Sequence, residues 1–168
     1  MSDKIEIFRL VTIPRNTNEK ELNLAYHTAF MVWLLTIFKV VDAGLTIALT
    51  SWPNYLDFSF AVAIPFSIMV FLRRGTRNGS ITMIRSASML CIVIGVLMFL
   101  SLYLVYRPCF SMEECTDCRC EMTDMYVFII YTIAGIQYVS TGLMIIKLSK
   151  LYRVLELPVT ANVVVIED

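Results

Sequence analysis

Four apolar stretches separated by short polar connections organise the chain: Thr28 to Thr50, Leu56 to Leu72, Ser86 to Tyr106 and Met125 to Ile146. An α-helix needs roughly 20 apolar residues to cross a hydrocarbon core, and about 17 is the lower limit. Three stretches exceed that comfortably; the second sits near the limit and contains Pro65, which lacks a backbone donor and should kink its helix. Four such helices in 168 residues would leave a soluble protein almost no polar surface. The pattern predicts an all-α fold, a four-span transmembrane helix bundle forming one domain over residues 1–168, with a short cysteine-rich outer loop between helices 3 and 4.

Composition agrees with that pattern. Hydrophobic residues make up 58% of the chain and charged residues 17%, with a mean hydropathy of +0.71, far from an ordinary soluble domain. The formal net charge is +0, so no nucleic-acid partner is expected and the charges matter only through their positions. Lys4, Arg9, Arg15 and Lys20 precede the first span; Arg73, Arg74, Arg77 and Arg85 surround the second connection; Lys147, Lys150 and Arg153 follow the fourth. Only Arg107 and Arg119 lie on the opposite side, a bias of eleven to two. Basic residues close to span ends stay cytosolic, which predicts cytosolic termini and an outward-facing cysteine loop. The first stretch begins too late and is too long for a cleavable signal, so an uncleaved signal anchor is expected.

Two local patterns refine the polar ends. Asn78-Gly79-Ser80 matches a glycosylation sequon, yet on the cytosolic side it reads as a turn. Asn18, followed by Glu19-Lys20-Glu21-Leu22, is a helix start that runs on into the first span. The N-terminal segment Ile5 to Asn23, which overlaps that start, has room for a short helix lying on the membrane surface.

The segment Arg107 to Asp124 carries four of the five cysteines. Cys109, Cys115, Cys118 and Cys120 lie among Glu113, Glu114, Asp117 and Glu121. In an oxidising compartment, an even number of thiols on one side of the membrane predicts two disulfides in any of three pairings. A bond from Cys109 to a later cysteine would fasten the third helix to the fourth. Two other chemistries stay open. Cys115-Thr116-Asp117-Cys118 is a C-x-x-C pair beside a membrane helix, a layout that resembles small four-helix thiol oxidoreductases of the vitamin K epoxide reductase and DsbB type. That resemblance implies quinone-linked redox chemistry, but the second cysteine pair of those families is missing from the first outer turn. Acidic neighbours also raise a thiol pKa and disfavour the thiolate. Four thiolates can surround zinc, although the spacing is tight for a closed site, and neither a metal nor another cofactor is expected.

Charge inside the spans is the second source of candidate chemistry. Lys39 lies near the middle of the first span and Asp42 three positions later. Each charged group at the centre of a span costs about 2.5–3.5 kcal/mol to insert, so the two should neutralise one another on a shared helix face. Thr28, Val32, Leu35, Lys39, Asp42, Thr46 and Leu49 form a seam pointing into a helix interface. Ala134, Gln137, Thr141 and Met144 form a second face, with Gln137 at a depth suited to a hydrogen bond with the Lys39 helix. Small residues suit close helix packing: Ser88, Cys91 and Gly95 on the third span, and Gly135 and Gly142, one heptad apart, on the fourth. Cys91 is expected to pack as a small apolar residue.

Tyr152-Arg153-Val154-Leu155 matches a tyrosine-based sorting pattern through Tyr152 and Leu155, and equally suits a Tyr-Arg pair anchored at the interface. His27 has no thiol or carboxylate at suggestive spacing and reads as an interfacial residue. A short outer turn, a basic inner connection and a four-cysteine outer loop together resemble the layout of tetraspan scaffold proteins, tetraspanins in particular. The Cys-Cys-Gly signature and large outer domain of that family are absent. The expectation is a non-enzymatic membrane protein of the secretory pathway, plasma membrane or endolysosomal membrane. It would pack in the bilayer with other membrane proteins or a second copy of itself, as a scaffold, escort or accessory subunit. A channel or transporter subunit using Lys39 and Asp42 is the alternative, and a thiol oxidoreductase using Cys115 and Cys118 follows.

Overall fold

The structure, a computed structural model, describes residues 4–15, 17–49, 55–110 and 122–161, with side chains described for 4–15, 17–45, 62–104 and 128–154. Its elements are two strands, β1 (Lys4–Ile7) and β2 (Val11–Pro14), then four helices, α1 (Glu19–Leu49), α2 (Tyr55–Asn78), α3 (Ile81–Phe110) and α4 (Met122–Ala161). The described residues are thus overwhelmingly helical, and α1, α3 and α4 each hold a stretch long and apolar enough to cross a membrane: Glu19–Leu45, Ile81–Leu104 and Phe128–Val154.

The N-terminal segment departs from expectation. It forms an antiparallel hairpin rather than a surface helix, pairing Lys4 with Pro14, Ile5 with Ile13, Glu6 with Thr12 and Ile7 with Val11. Strand side chains alternate between faces, so Ile7, Val11 and Ile13 share one face, and all three are buried. Phe8 and Arg9 make the turn with φ of 50° and 57°, closed by the Leu10 N–H donating to the Ile7 carbonyl at 2.9 Å. Left-handed backbone at two consecutive non-glycine residues costs on the order of 1–3 kcal/mol each. Contacts with α1 offset that cost. The Trp33 indole N–H donates to the Phe8 carbonyl at 3.3 Å, and the Phe8 ring lies 5.0 Å from that of Tyr26.

Helix boundaries follow local chemistry. Asn18 caps α1: its carbonyl accepts from the Glu21 and Leu22 N–H groups, and the Glu21 carboxylate reaches back to the Asn18 N–H at 3.4 Å, a capping box. At the end of α2, Gly79 adopts φ 70° and the Ser80 N–H bonds to the Gly75 carbonyl at 2.8 Å. This is a Schellman ending, which needs a residue free to enter the left-handed region. The Ser80 carbonyl then accepts from the Ile84 N–H, so Ser80 ends one helix and begins the next. Asn78-Gly79-Ser80 is therefore a turn. Pro65 sits inside α2 without ending it.

Each helix packs on the next in sequence, and α1 closes the ring against α4. The most extensive interface joins α3 and α4. Ala25, Ala29, Val32 and Leu35 of α1, Ile68 and Leu72 of α2, Ile84, Ala87 and Cys91 of α3, and Tyr138, Ile145, Leu148 and Tyr152 of α4 form one buried cluster with the hairpin. The hairpin fills the end of the bundle where the α2–α3 connection lies. Aliphatic side chains such as Ile37, Val41, Val96, Leu100, Ile136 and Leu143 face outward, the inverse of a water-soluble surface.

Candidate functional site

Four arrangements could carry function, and the first is a closed ion pair. Lys39 is only 5% exposed, and its Nζ lies 3.2 Å from the Asp42 carboxylate. The ammonium also stands 5.8 Å from the centroid of the Tyr131 ring and 6.0 Å from that of Phe38, within range of a cation–π attraction. Thr28, Val32 and Leu35 of the same seam are buried; Thr46 and Leu49 have side chains outside the described residues. On α4 the Tyr131 ring faces the Lys39 ammonium, and among the described residues no hydrogen bond joins Lys39 to Gln137. The ammonium reaches along α1 toward Asp42, so it meets α4 nearer the cysteine loop than matching depths in the two spans suggests. An aromatic ring at that level was the available signal.

Gln137 belongs to a second arrangement. It lines an open groove between α1 and α4 with Met31, Leu34, Phe38, Ile133, Ile136 and Ser140, about 440 Å³ in volume. The walls are almost wholly apolar, although Gln137 and Ser140 are among the residues that form them. On the expected second face of α4, Ala134 and Thr141 are buried while Gln137 and Met144 lie at its margin. Tyr138, Ile145 and Leu148 complete the buried face instead.

The α3–α4 seam is the third. Ser88 donates to the Gly142 carbonyl at 2.9 Å in the buried interface. A Cβ at Gly142 would lie 2.7 Å from Ile92 Cγ1, and one at Gly95 would lie 2.7 Å from Val139 Cγ2, so the two backbones approach as closely as glycine permits. Gly135 faces the Phe99 ring. Cys91 is buried there as a free thiol. The Thr141 hydroxyl is also buried, with no hydrogen-bond partner.

The fourth is a latch between the hairpin and the bundle. β2 has one edge paired to β1, and the other presents polar backbone groups that must be satisfied. Thr76 of α2 accepts from the Thr12 N–H at 3.3 Å and reaches the Leu10 carbonyl at 3.2 Å. Tyr152 of α4 donates to the Thr12 carbonyl. Tyr152 is therefore buried and helical; the Leu155 side chain lies outside the described residues. Neither Thr76 nor Tyr152 announces this role by spacing, since their shared partner is 64 and 140 residues away.

The loop cysteines at 115, 118 and 120, and the Cys109 side chain, lie outside the described residues. His27 is exposed and meets the Tyr26 ring edge-on. Together these features define a class: a helical bundle consistent with a membrane protein, its apolar exterior suited to hydrocarbon and its polar groups turned inward or to the ends. Comparison with known protein families, with curated proteins and with solved structures finds no match.

Proposed function

We propose that this chain is a non-enzymatic multi-pass membrane protein that packs with partner membrane proteins as a scaffold, escort or accessory subunit. In this reading α2 is the fourth span, both termini and the α2–α3 connection are cytosolic, and the Arg107–Asp124 loop is extracellular or lumenal. Cys109, Cys115, Cys118 and Cys120 form two disulfides there that tie α3 to α4. The bias of eleven basic residues to two supports the orientation.

Gln137 carries the partner reading. Gln137 lines an apolar groove between α1 and α4, at a level where lipid offers no hydrogen bond. A polar amide at that depth is a preferred site for association with another transmembrane helix. Transport through Lys39 and Asp42 has less support, because the two charges already face one another at 3.2 Å.

The test is mild-detergent purification of the wild type beside Gln137→Leu, with a cysteine introduced at Ile136 for crosslinking. A specific crosslinked neighbour, lost on Gln137→Leu while the bundle stays folded, is the expected result. A monomer with no crosslinked neighbour sinks the partner reading. Loss of a measured ion flux in Lys39→Leu/Asp42→Leu, with assembly intact, replaces it with transport.

A further inference from the structure

We propose that the groove between the end of α2 and the start of α3 binds the phosphate of an anionic phospholipid in the adjoining leaflet. Val70, Arg73, Arg74, Arg77, Asn78 and Met83 line it, enclosing about 780 Å³. Three arginines and an asparagine thus border one open space. The guanidinium fork matches phosphate oxygens two at a time, which an ammonium does not.

These cations are not consumed internally. Arg73 reaches Glu6 at 3.8 Å, with both side chains about half exposed, an arrangement worth little in solvent. Arg74 and Arg77 take no carboxylate partner among the described residues. The groove thus holds three positive charges against a single negative one at its rim.

The apolar surroundings make the phosphate that of a lipid. Phe66 and Val70 are exposed on α2, and at helical spacing they continue into Arg73, Arg74 and Arg77 on one stripe. Val70 and Arg77 are about 10 Å apart along the axis, comparable to the depth of a headgroup layer, roughly 5–8 Å per leaflet. A lipid lying along this stripe sets its acyl chain against Phe66 and Val70 and its phosphate among the arginines. Free phosphate uses only the second half of that surface. The inference rests on the membrane reading and is independent of the partner proposed for Gln137.

The full chain is reconstituted in nanodiscs of phosphatidylcholine alone, with phosphatidylserine, or with phosphatidylinositol bisphosphate, and retained lipid is counted by native mass spectrometry. Anionic lipid should stay bound, and Arg74→Ala/Arg77→Ala should weaken its retention about a hundredfold, the effect of losing two charge-assisted guanidinium–phosphate contacts. Arg85→Ala/Arg153→Ala removes equal charge from a neighbouring groove, lined by Ser80, Ile81, Thr82, Arg85 and Arg153, and should leave most retention intact. Arg74→Lys/Arg77→Lys keeps the charge without the fork and should fall between. Equal losses in the two alanine pairs overturn the site in favour of diffuse charge attraction. Soluble inositol trisphosphate binding as tightly as the lipid overturns the lipid assignment. An inserted, folded protein that retains no anionic lipid refutes this site alone, whereas failure to insert refutes the membrane reading itself.

Discussion

Replacing Gly142 with alanine probes the α3–α4 seam most directly. The added methyl would stand 2.7 Å from Ile92 Cγ1, 3.2 Å from Cys91 Cβ and 3.2 Å from the Ser88 carbonyl oxygen. Carbon atoms rest at about 3.5–4.0 Å, so either the helices part or Ile92 leaves its rotamer, at a cost of about 1–3 kcal/mol. Parting also strains the 2.9 Å bond from Ser88 to the Gly142 carbonyl, worth about 0.6 kcal/mol inside a membrane. Alanine's better helix propensity returns about 0.5–1 kcal/mol. The balance is a net loss of about 2 kcal/mol. Gly44→Ala is the matched control, because its Cβ meets nothing within 4 Å; it should stabilise by about 0.5–1 kcal/mol. Reversible unfolding by SDS titration in mixed micelles, followed by helical circular dichroism, measures both. Adding Ile92→Ala to Gly142→Ala removes the closest atom and should recover part of the loss as a coupling energy. If Gly142→Ala proves as stable as Gly44→Ala, the close approach of α3 and α4 is wrong.

Three further outcomes follow from other contacts. Lys39→Leu removes the ammonium that faces the Asp42 carboxylate at 3.2 Å and should destabilise the bundle more than Lys39→Leu/Asp42→Leu does; the same SDS titration separates them. Tyr152→Phe removes a hydroxyl from the Thr12 carbonyl and Thr76→Val removes the acceptor of the Thr12 N–H. Each should cost about 1 kcal/mol of hairpin docking, read as faster amide exchange at Thr12 and quicker proteolysis at Arg9 and Arg15 without loss of helix. Intact-mass analysis after alkylation without reductant should find Cys91 as the sole modifiable thiol in denaturant, with the remaining four joined in two disulfides; five modifiable thiols refute the staple.

The helices were legible because their cues are local. Asn18 with Glu21, and Asn78-Gly79-Ser80, mark ends through bonds spanning a few residues, and the apolar stretches mark what lies between. The small residues Ser88, Gly95 and Gly142 likewise advertise close packing. The hairpin was hidden for the opposite reason. Its turn, Phe8-Arg9, contains no glycine, asparagine or aspartate, the residues that normally signal left-handed backbone. Trp33, Tyr26 and the burial of Leu10 hold it, and these are tertiary contacts that no short window contains. Lys39 and Asp42 could be paired from their spacing, but the level at which α4 meets them depends on how the helices cross, which spacing does not encode. The groove at Arg73, Arg74 and Arg77 was visible only as a charge bias until α3 supplied Met83 as its other wall.

The latch on β2 also imposes an order on biogenesis. Thr12 lies in the second strand of the chain, yet the hydroxyl that satisfies its carbonyl belongs to Tyr152, 140 residues later. Thr76 of α2 covers the Thr12 N–H and the Leu10 carbonyl, but the Thr12 carbonyl waits for Tyr152 of α4, so this edge is completed only when the last helix docks with the correct end toward the hairpin. A chain lacking its last helix, or with that helix inverted, would leave the Thr12 carbonyl without this partner. The bond between Thr12 and Tyr152 thus joins the start of the fold to its end and reports that α4 has docked in the right direction.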